Sequence, residues 1–202
     1  MLLFVEQLLA LSNSREVDTH DEGVERITQH VRRLRCVDGE VHYCRRQHYN
    51  SHWAEAAERN GNVVNLTAFL PGASQRTLAL NFMNNHVASY KPMRLARIRQ
   101  CITDLEEDLT VKQAYIPLAG LLRVLPSLRN GVLFALVAKI PGLEVSHVGF
   151  LEKRDGVVNA IHAAEGEGVI RNENCASYAE RVKNVIVLKA WRSRPYEFVN
   201  RP

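Results

Sequence analysis

The sequence has no apolar run that could cross a bilayer, because its longest apolar stretch, residues 1–11, is interrupted by Glu6 and Gln7. That stretch also lacks the basic start and the small-residue cleavage site of a signal peptide, so we expect no export signal within the chain. Internal repeats, low-complexity tracts and proline- or serine-rich linkers are absent as well. These absences predict one domain over residues 1–202 and no membrane span.

Composition excludes two further classes of protein. Of the 202 residues, 46% are hydrophobic and 24% are charged, which is typical of a globular domain and not of a disordered or fibrous chain. Basic residues outnumber acidic residues by 26 to 22, which gives a formal net charge of +4. This small excess permits an anionic partner but does not require one.

The four cysteines are too scattered to suggest a scaffold of disulfide bonds. Cys36, Cys44, Cys101 and Cys175 include no pair separated by two residues. In a chain of this length each is interpreted as a small, buried or half-buried thiol. The redox state of the protein's compartment is left open by this pattern.

Hydrophobic periodicity predicts helices in the first half of the chain. Residues 1–13 are apolar on nearly every side, which is typical of a helix buried in the core. A chain that begins inside such a helix is expected to lack an N-terminal segment. A second helix is predicted to begin near Asp18 or Thr19, and a third over residues 50–59.

A later helix is predicted where Ile98, Ile102, Leu105 and Leu109 recur on one stripe. The acidic run at residues 106–108 would then form the solvated side of that helix. A short helix is also predicted at residues 176–182.

Extended segments dominate the second half of the sequence, where β-branched and apolar residues form short runs. The predicted strands cover residues 63–64, 66–67, 77–80, 132–137, 145–151, 157–163 and 185–191. Helices followed by a sheet predict an α+β domain, in which N-terminal helices pack on a mostly antiparallel sheet.

Two histidines lie on neighbouring predicted strands that form a β-hairpin. With Asp155 and Gly156 as the turn residues, His162 lies opposite Gly149. Because side chains alternate along a strand, His147 and His162 then share one face, about 5 to 8 Å apart at the backbone. A four-residue loop preserves the same parity, and Gly149 leaves the space that two imidazoles need.

Paired imidazoles favour a functional interpretation, whereas a single histidine on a strand is usually a hydrogen-bonded core or edge residue. Two coupled rings suit nucleophilic catalysis, in which one deprotonates a cysteine or serine and the other orients it. They also suit a metal site, which would need one or two further ligands. The spacing alone does not choose between these alternatives.

Several motifs, in order along the chain, resemble one group of enzymes. His147-Val148-Gly149-Phe150, followed by Ile161-His162-Ala163, is similar to the His-Val-Gly and Ile-His-Ala motifs of NlpC-type cell-wall hydrolases, which are papain-like enzymes with a Cys–His–polar triad. The whole chain resembles their N-acetylmuramoyl-L-alanine amidase-like branch. The further matching segments are Phe4-Val5-Glu6, Arg46-Gln47-His48-Tyr49 with Trp53, Phe82-Met83, Tyr115-Ile116-Pro117 and Gly142 to Gly149.

The resemblance implies a papain-like α+β fold and hydrolysis of the amide that joins the lactyl group of muramic acid to L-alanine. The partner would be a muropeptide or another peptidoglycan fragment, and no metal or cofactor is expected. His147 would be the base that takes the thiol proton. His162 would hold the imidazole of His147 in the productive tautomer and orientation.

The nucleophile is where the sequence departs from the family pattern. The cysteine of the family stands three residues before the Phe of Phe-Val-Glu, and this position is Met1 here. A thioether has no proton to lose, so it cannot replace a thiol. Among the remaining cysteines, Cys44 is the strongest candidate substitute because it adjoins Arg45 and Arg46, although a structural thiol is the preferred interpretation.

Two functional classes therefore stay open. The protein is an active cysteine amidase of which this sequence is an N-terminally incomplete form, or it is a pseudoenzyme that binds muropeptides or a protein partner. A cell-wall substrate would place it in the periplasm or cell envelope if a missing segment carries a signal, and a role in recycling fragments would place it in the cytoplasm. The oligomeric state is not indicated.

Five residues are candidate substrate-binding groups: Arg46, His48, Tyr49, Trp53 and Ser146. Arginine can pair with the carboxylates of a muropeptide, and aromatic rings can cover its sugar or peptide face. The resemblance favours this placement. The alternative, in which Trp53 packs into the core and Arg46 is solvated, stays open.

Two binding functions rank below the amidase interpretation. A zinc site is conceivable from sulfur and imidazole ligands, although their spacing is unfamiliar; the candidates are Cys36, Cys44, His48 and His52. A basic patch could meet the phosphates of a nucleic acid, but no recognised nucleic-acid fold surrounds it. Its members are Arg32, Arg33, Arg35, Arg45 and Arg46.

Overall fold

Helices lead the chain and strands dominate its second half in the computed structural model, which describes residues 2–14, 19–164, 166–180 and 184–190. The helices are α1 (Leu2–Asn13), α2 (His20–Arg35), α3 (Asn50–Arg59), α4 (Phe82–Asn85), α5 (Ala96–Glu106), α6 (Leu118–Val124) and α7 (Cys175–Glu180). The strands are β1 (Val63–Asn65), β2 (Ser74–Ala79), β3 (Thr110–Pro117), β4 (Val132–Val137), β5 (Val145–Arg154), β6 (Val157–Ala163), β7 (Ile170–Asn174) and β8 (Asn184–Ala190).

The strands form one sheet in the order β2-β3-β8-β4-β5-β6-β7. The short strand β1 pairs with the far end of β8, on the edge that β3 also uses. Every pairing is antiparallel. The predicted α+β class, with N-terminal helices on an antiparallel sheet, is confirmed.

Helices cover both faces of the sheet, and the burial pattern of β4 reflects this. All six of its residues are buried, as expected for a central strand with packing on each side. Its alternate residues Val132, Phe134 and Leu136 enter a core with α6 and α7. Leu133, Ala135 and Val137 enter a second core with α1 and α3.

Helix α1 is in place, but it is not buried on every side. Val5 and Leu9 pack into the core, whereas Leu3, Leu8 and Leu11 are each about two-fifths or more exposed. The expectation of an all-round buried helix is therefore wrong. One face of α1 packs on the sheet and α2, and the opposite leucines face outward.

Helix α2 is predicted to begin near Asp18 or Thr19, and Thr19 is its N-cap residue. The Thr19 hydroxyl accepts a hydrogen bond from the Glu22 backbone amide at 3.3 Å. Acidic residues occupy its first turn and arginines its last turn, which complements the helix dipole. One of those arginines, Arg35, donates two hydrogen bonds to the buried carboxylate of Glu6 in α1, at 2.7 and 3.0 Å.

Other local predictions were wrong or incomplete. Leu66 and Thr67 were predicted as strand, but residues 67–69 form a helical turn. Strands β3 and β7 and helices α4 and α6 were not predicted; β7 is a polar edge strand without an apolar pattern. The predictions at residues 18, 181, 182 and 191 lie outside the described residues.

Two of the four cysteines are joined. Cys44 and Cys101 form a disulfide with their Cα atoms 5.8 Å apart, so the interpretation of all four as separate thiols is wrong. Cys36 and Cys175 are free and buried. The pairing was invisible in the sequence because 57 residues separate the two cysteines and only the packing of α5 brings them together.

Candidate functional site

Three side chains on neighbouring strands form a chain of hydrogen bonds. Nε2 of His147 on β5 lies 3.0 Å from Nδ1 of His162 on β6. Nε2 of His162 donates to Oε1 of Glu173 on β7 at 2.9 Å. The structure thus brings the two predicted histidines together and adds a carboxylate that sequence reasoning missed.

The hairpin that joins β5 and β6 aligns the two histidines. Asp155 and Gly156 both have positive φ angles, 49° and 79°, as a type I′ turn requires. The strands pair from Arg154 opposite Val157 up to Phe150 opposite Ile161, in the register that the sequence predicted. That register carries both imidazoles to the same face of the sheet.

Gly149 is required between the histidines. A Cβ atom at this position would stand 2.5 Å from the Ile161 carbonyl oxygen and 2.7 Å from the ring of Phe134. Only glycine lets the neighbouring strand and the Phe134 ring approach so closely.

Tyr178 on α7 covers the histidine pair. Its ring stacks on His162 with centroids 4.6 Å apart and planes at 19°, and it meets His147 edge-on at 6.3 Å. His162 is only 4% exposed, so its orientation is fixed by Tyr178, Glu173 and His147 together.

The hydrogen bonds select one tautomer for each ring when both are neutral. The carboxylate of Glu173 accepts, so the proton of His162 resides on Nε2 and its Nδ1 is an acceptor. The proton of His147 then resides on Nε2, which leaves the lone pair of His147 on Nδ1. Among the described residues Nδ1 has no hydrogen-bond partner.

Burial keeps His147 neutral. The pKa of this imidazole is lowered to about 4, chiefly by burial and then by the positive charge of a protonated His162, whereas Glu173 acts in the opposite direction. At neutral pH His147 is therefore able to accept a proton at Nδ1.

His147 lines a cavity of about 170 Å³ at the end of the sheet. One side of the cavity is the histidine wall, Leu143–Val148, which includes the start of β5. The other side is the loop wall, His48–Asn50, which leads into α3. Leu2, the first residue of α1, completes the lining.

The structure separates the five predicted substrate-binding residues into two groups. His48, Tyr49 and Ser146 line the cavity with His147. Arg46 is exposed and does not line it. Trp53 is 1% exposed and packs among the core residues beneath α3, so the structure supports the alternative in which it is a core residue.

The loop wall is fixed by contacts that the sequence did not reveal. The hydroxyl of Tyr49 donates to the buried carboxylate of Glu106 at 2.5 Å, and burial together with this bond raises the pKa of Tyr49. The Glu106 carboxylate also accepts from the backbone amides of Met83 and Asn84 at 3.0 and 3.1 Å. The prediction that Glu106 is solvated is therefore wrong.

His48 is held by the segment that the disulfide anchors. Its Nε2 donates to the carbonyl oxygen of Tyr43 at 2.8 Å, and its ring lies 4.6 Å from the Tyr43 ring. Burial lowers the pKa of His48. Cys44, next to Tyr43, is the residue bonded to Cys101.

The zinc and substitute-nucleophile hypotheses are contradicted. Cys44 is bonded to Cys101, so its sulfur is neither a thiol nor a thiolate ligand. Across residues 2–14, 19–164, 166–180 and 184–190, no group of three or more His, Cys, Asp or Glu is placed to hold a metal ion. Burial also raises the pKa of Cys175 to about 11, which disfavours its thiolate.

The proposed basic patch is partly neutralised. Arg35 pairs with Glu6, and Arg45 pairs with Asp38 and Glu40 at 2.7 and 3.2 Å.

Within the part of the chain that the structure describes, no helix is both long and apolar enough to cross a membrane. Met1, the predicted position of the nucleophile, lies outside the described residues.

Comparison with known proteins identifies one family. A model of the family described as "AmiA-like: N-acetylmuramoyl-L-alanine amidase-like" matches residues 2–185. No curated protein matches the chain.

Solved structures share the fold. A proposed xylanase from Bacteroides fragilis is 27% identical with a TM-score of 0.80, over 93% of this chain and 85% of that chain. An N-acetylmuramoyl-L-alanine amidase from Bacteroides uniformis ATCC 8492 is 21% identical with a TM-score of 0.82, over 95% and 84%. A protein from Legionella pneumophila str. Philadelphia 1 is 16% identical with a TM-score of 0.72, over 95% and 75%.

Proposed function

Because the chain belongs to the N-acetylmuramoyl-L-alanine amidase-like family, we propose that its cavity binds the amide between the lactyl group of muramic acid and L-alanine in a peptidoglycan fragment. His147 is the general base of this site, His162 and Glu173 orient it, and the chemistry is that of an NlpC-type, papain-like cysteine hydrolase. A single domain carries the site.

The observation that carries the proposal is the hydrogen-bonded chain from Glu173 through His162 to His147, which lines a cavity. It leaves Nδ1 of a neutral His147 as the group that can accept a proton. A base oriented by a second group, which is oriented by a third, is the arrangement that nucleophilic acyl transfer needs.

The nucleophile is expected at position 1. Leu2 lines the same cavity as His147, so the preceding residue is adjacent to the site in the chain. A thiol there would give its proton to His147 and attack the amide carbonyl. His147 would pass that proton to the departing L-alanine nitrogen, and water would then hydrolyse the thioester to the lactyl carboxylate and the free thiol. Met1 cannot perform these steps, so with methionine at this position the protein binds the muropeptide without cleaving it.

The disulfide supports a location in the cell envelope. Bonds of this kind persist in oxidising compartments and are rare in the cytosol. Cys44–Cys101 therefore favours the periplasm or another extracytoplasmic location over a cytoplasmic recycling role.

The test is to place cysteine at position 1 behind a short upstream extension and to follow the release of peptide with an L-alanine N-terminus from an N-acetylmuramyl peptide by mass spectrometry. Met1→Cys should release the peptide. Met1→Ala and the double variant Met1→Cys with His147→Ala should not, because one lacks the thiol and the other lacks the base.

Each variant's fold is checked by circular dichroism. A folded Met1→Cys protein that releases no such peptide would contradict the amidase proposal. Cleavage by the parent chain, with methionine at position 1, would contradict the thiol mechanism.

A further inference from the structure

Glu144 is a buried acid that the reaction does not use. It directly precedes β5, it is 1% exposed, and it lines the cavity three residues before His147. Burying an acidic side chain is costly unless its oxygens find donors, so its contacts identify its role.

The side chain of Glu144 contacts α3 immediately after the loop wall. Its Oε1 accepts a hydrogen bond from the backbone amide of Ser51 at 2.7 Å, across 93 residues of sequence. Ser51 lies in the first turn of α3, where amides have no partner within the helix. Tyr49, in the N-cap position, provides no side-chain bond, so the carboxylate of Glu144 takes over this task.

The main-chain carbonyl of Glu144 is held by contacts with Ala138 and Arg76, away from α3. Its carbonyl oxygen accepts from the Ala138 amide at 2.9 Å and from Nη2 of Arg76 at 3.0 Å. Arg76 also donates to the Ala138 carbonyl oxygen at 3.4 Å and to Oε1 of the buried Gln113 at 2.8 Å. Both ends of the β4–β5 connection are thereby tied to β2 and β3.

We propose that Glu144 is a positioning residue, which holds the loop wall against the histidine wall and thereby sets the width of the substrate cavity. The carboxylate acts through position, since it connects the start of α3 to the residue from which β5 begins. Only the identity of the ligand rests on the proposed function; the link between the walls does not.

Two substitutions at Glu144 separate its hydrogen bond from its charge. Glu144→Gln keeps an oxygen that can accept from Ser51, and Glu144→Leu removes it. Loss of a hydrogen bond to a charged group should weaken binding of an N-acetylmuramyl-L-alanyl peptide about tenfold in the Leu variant, while the Gln variant stays close to the parent. Isothermal titration calorimetry on the full chain measures both.

Two further variants control for side effects. Glu152→Leu removes a carboxylate from the same strand, away from the cavity, and should leave the affinity unchanged. Ser51→Pro removes the donor amide and keeps Glu144, in the first helical turn where proline is tolerated. Since Ser51 does not line the cavity, weaker binding by this variant too would show that the link between the walls matters.

Amide hydrogen exchange provides a readout that needs no ligand. In Glu144→Leu, the Ser51 amide should exchange faster because it loses its carboxylate acceptor. The Ala138 amide should also exchange faster, because the main-chain carbonyl of residue 144 to which it bonds is no longer held from α3. If the parent binds no muramyl peptide, the proposed function fails and exchange alone decides this inference. Parent-like exchange at Ala138, or parent-like affinity in both Glu144→Leu and Ser51→Pro, overturns it.

Discussion

On one side of the cavity His147 stands on a strand paired along both edges, whereas on the other side His48 and Tyr49 stand on a loop outside regular secondary structure. The strand register of the sheet sets the position of the histidine wall. The loop wall depends on a few long-range contacts: the Tyr49–Glu106 bond, the Glu144–Ser51 bond and the Cys44–Cys101 disulfide. Single substitutions should therefore disturb the stability of the loop wall most, and those at the histidine wall should act mainly on chemistry.

The largest effect is expected from removing the disulfide. Cys44→Ser with Cys101→Ser should lower the free energy of unfolding by about 3 to 4 kcal/mol, because the bond closes a loop of 57 residues in the unfolded chain. Denaturant titration measures the change. Reductant should destabilise the parent and leave the double variant unchanged; a parent that is insensitive to reductant would argue against the bond.

The buried acid beneath Tyr49 provides the next test. Glu106→Gln should cost about 2 kcal/mol of unfolding free energy, because an amide NH₂ cannot accept the hydrogen bonds that the two carboxylate oxygens receive. Its exposed neighbour provides the matched control: Glu107→Gln should change stability by less than about 0.5 kcal/mol. Equal effects at the two positions would mean that Glu106 does not support the loop wall.

At the histidine wall the expected change is catalytic. In the Met1→Cys protein, Glu173→Gln should lower kcat about tenfold with little change in melting temperature, because the amide keeps an oxygen acceptor for His162 but loses the negative charge that favours protonation of His147. Glu152→Gln, on β5, is the control, because Glu152 does not contact the histidine pair. An unchanged kcat in Glu173→Gln would remove Glu173 from the mechanism.

The last prediction concerns the pH dependence of stability. The folded protein holds the pKa of His147 at about 4, below the ordinary value of 6.5, so between these two pH values the unfolded chain binds more protons than the folded one. Stability should fall as the pH drops from 6.5 to 4, and less steeply in His147→Gln, which has no proton to gain. Parallel pH profiles for the two proteins would contradict the lowered pKa.

The difference between the two walls also explains which parts of the site could be predicted from the sequence. The hairpin and the meeting of His147 with His162 were predictable, because an Asp-Gly turn and strand alternation are local patterns. Glu173 was missed because it lies on a polar edge strand with no apolar alternation.

The loop wall was largely unpredictable for a different reason. Glu106 and Glu144 resemble surface acids in sequence, and only contacts with segments 22 to 93 residues away show why they are buried. Trp53 was ambiguous because an aromatic residue on an amphipathic helix suits a core or a groove equally well. Its packing beneath α3 decides for the core.

An NMR titration of the chain that has methionine at position 1, with N-acetylmuramyl-L-alanyl-D-isoglutamine as ligand, tests whether the histidine cavity is the muropeptide site. We expect chemical-shift changes concentrated at Leu2, Tyr49, Ser146 and His147, which line the cavity. The substitution His147→Ala should reduce these changes. Changes centred on the cleft between α3 and β3, or no changes at saturating ligand, would contradict the claim that the histidine cavity is the muropeptide site.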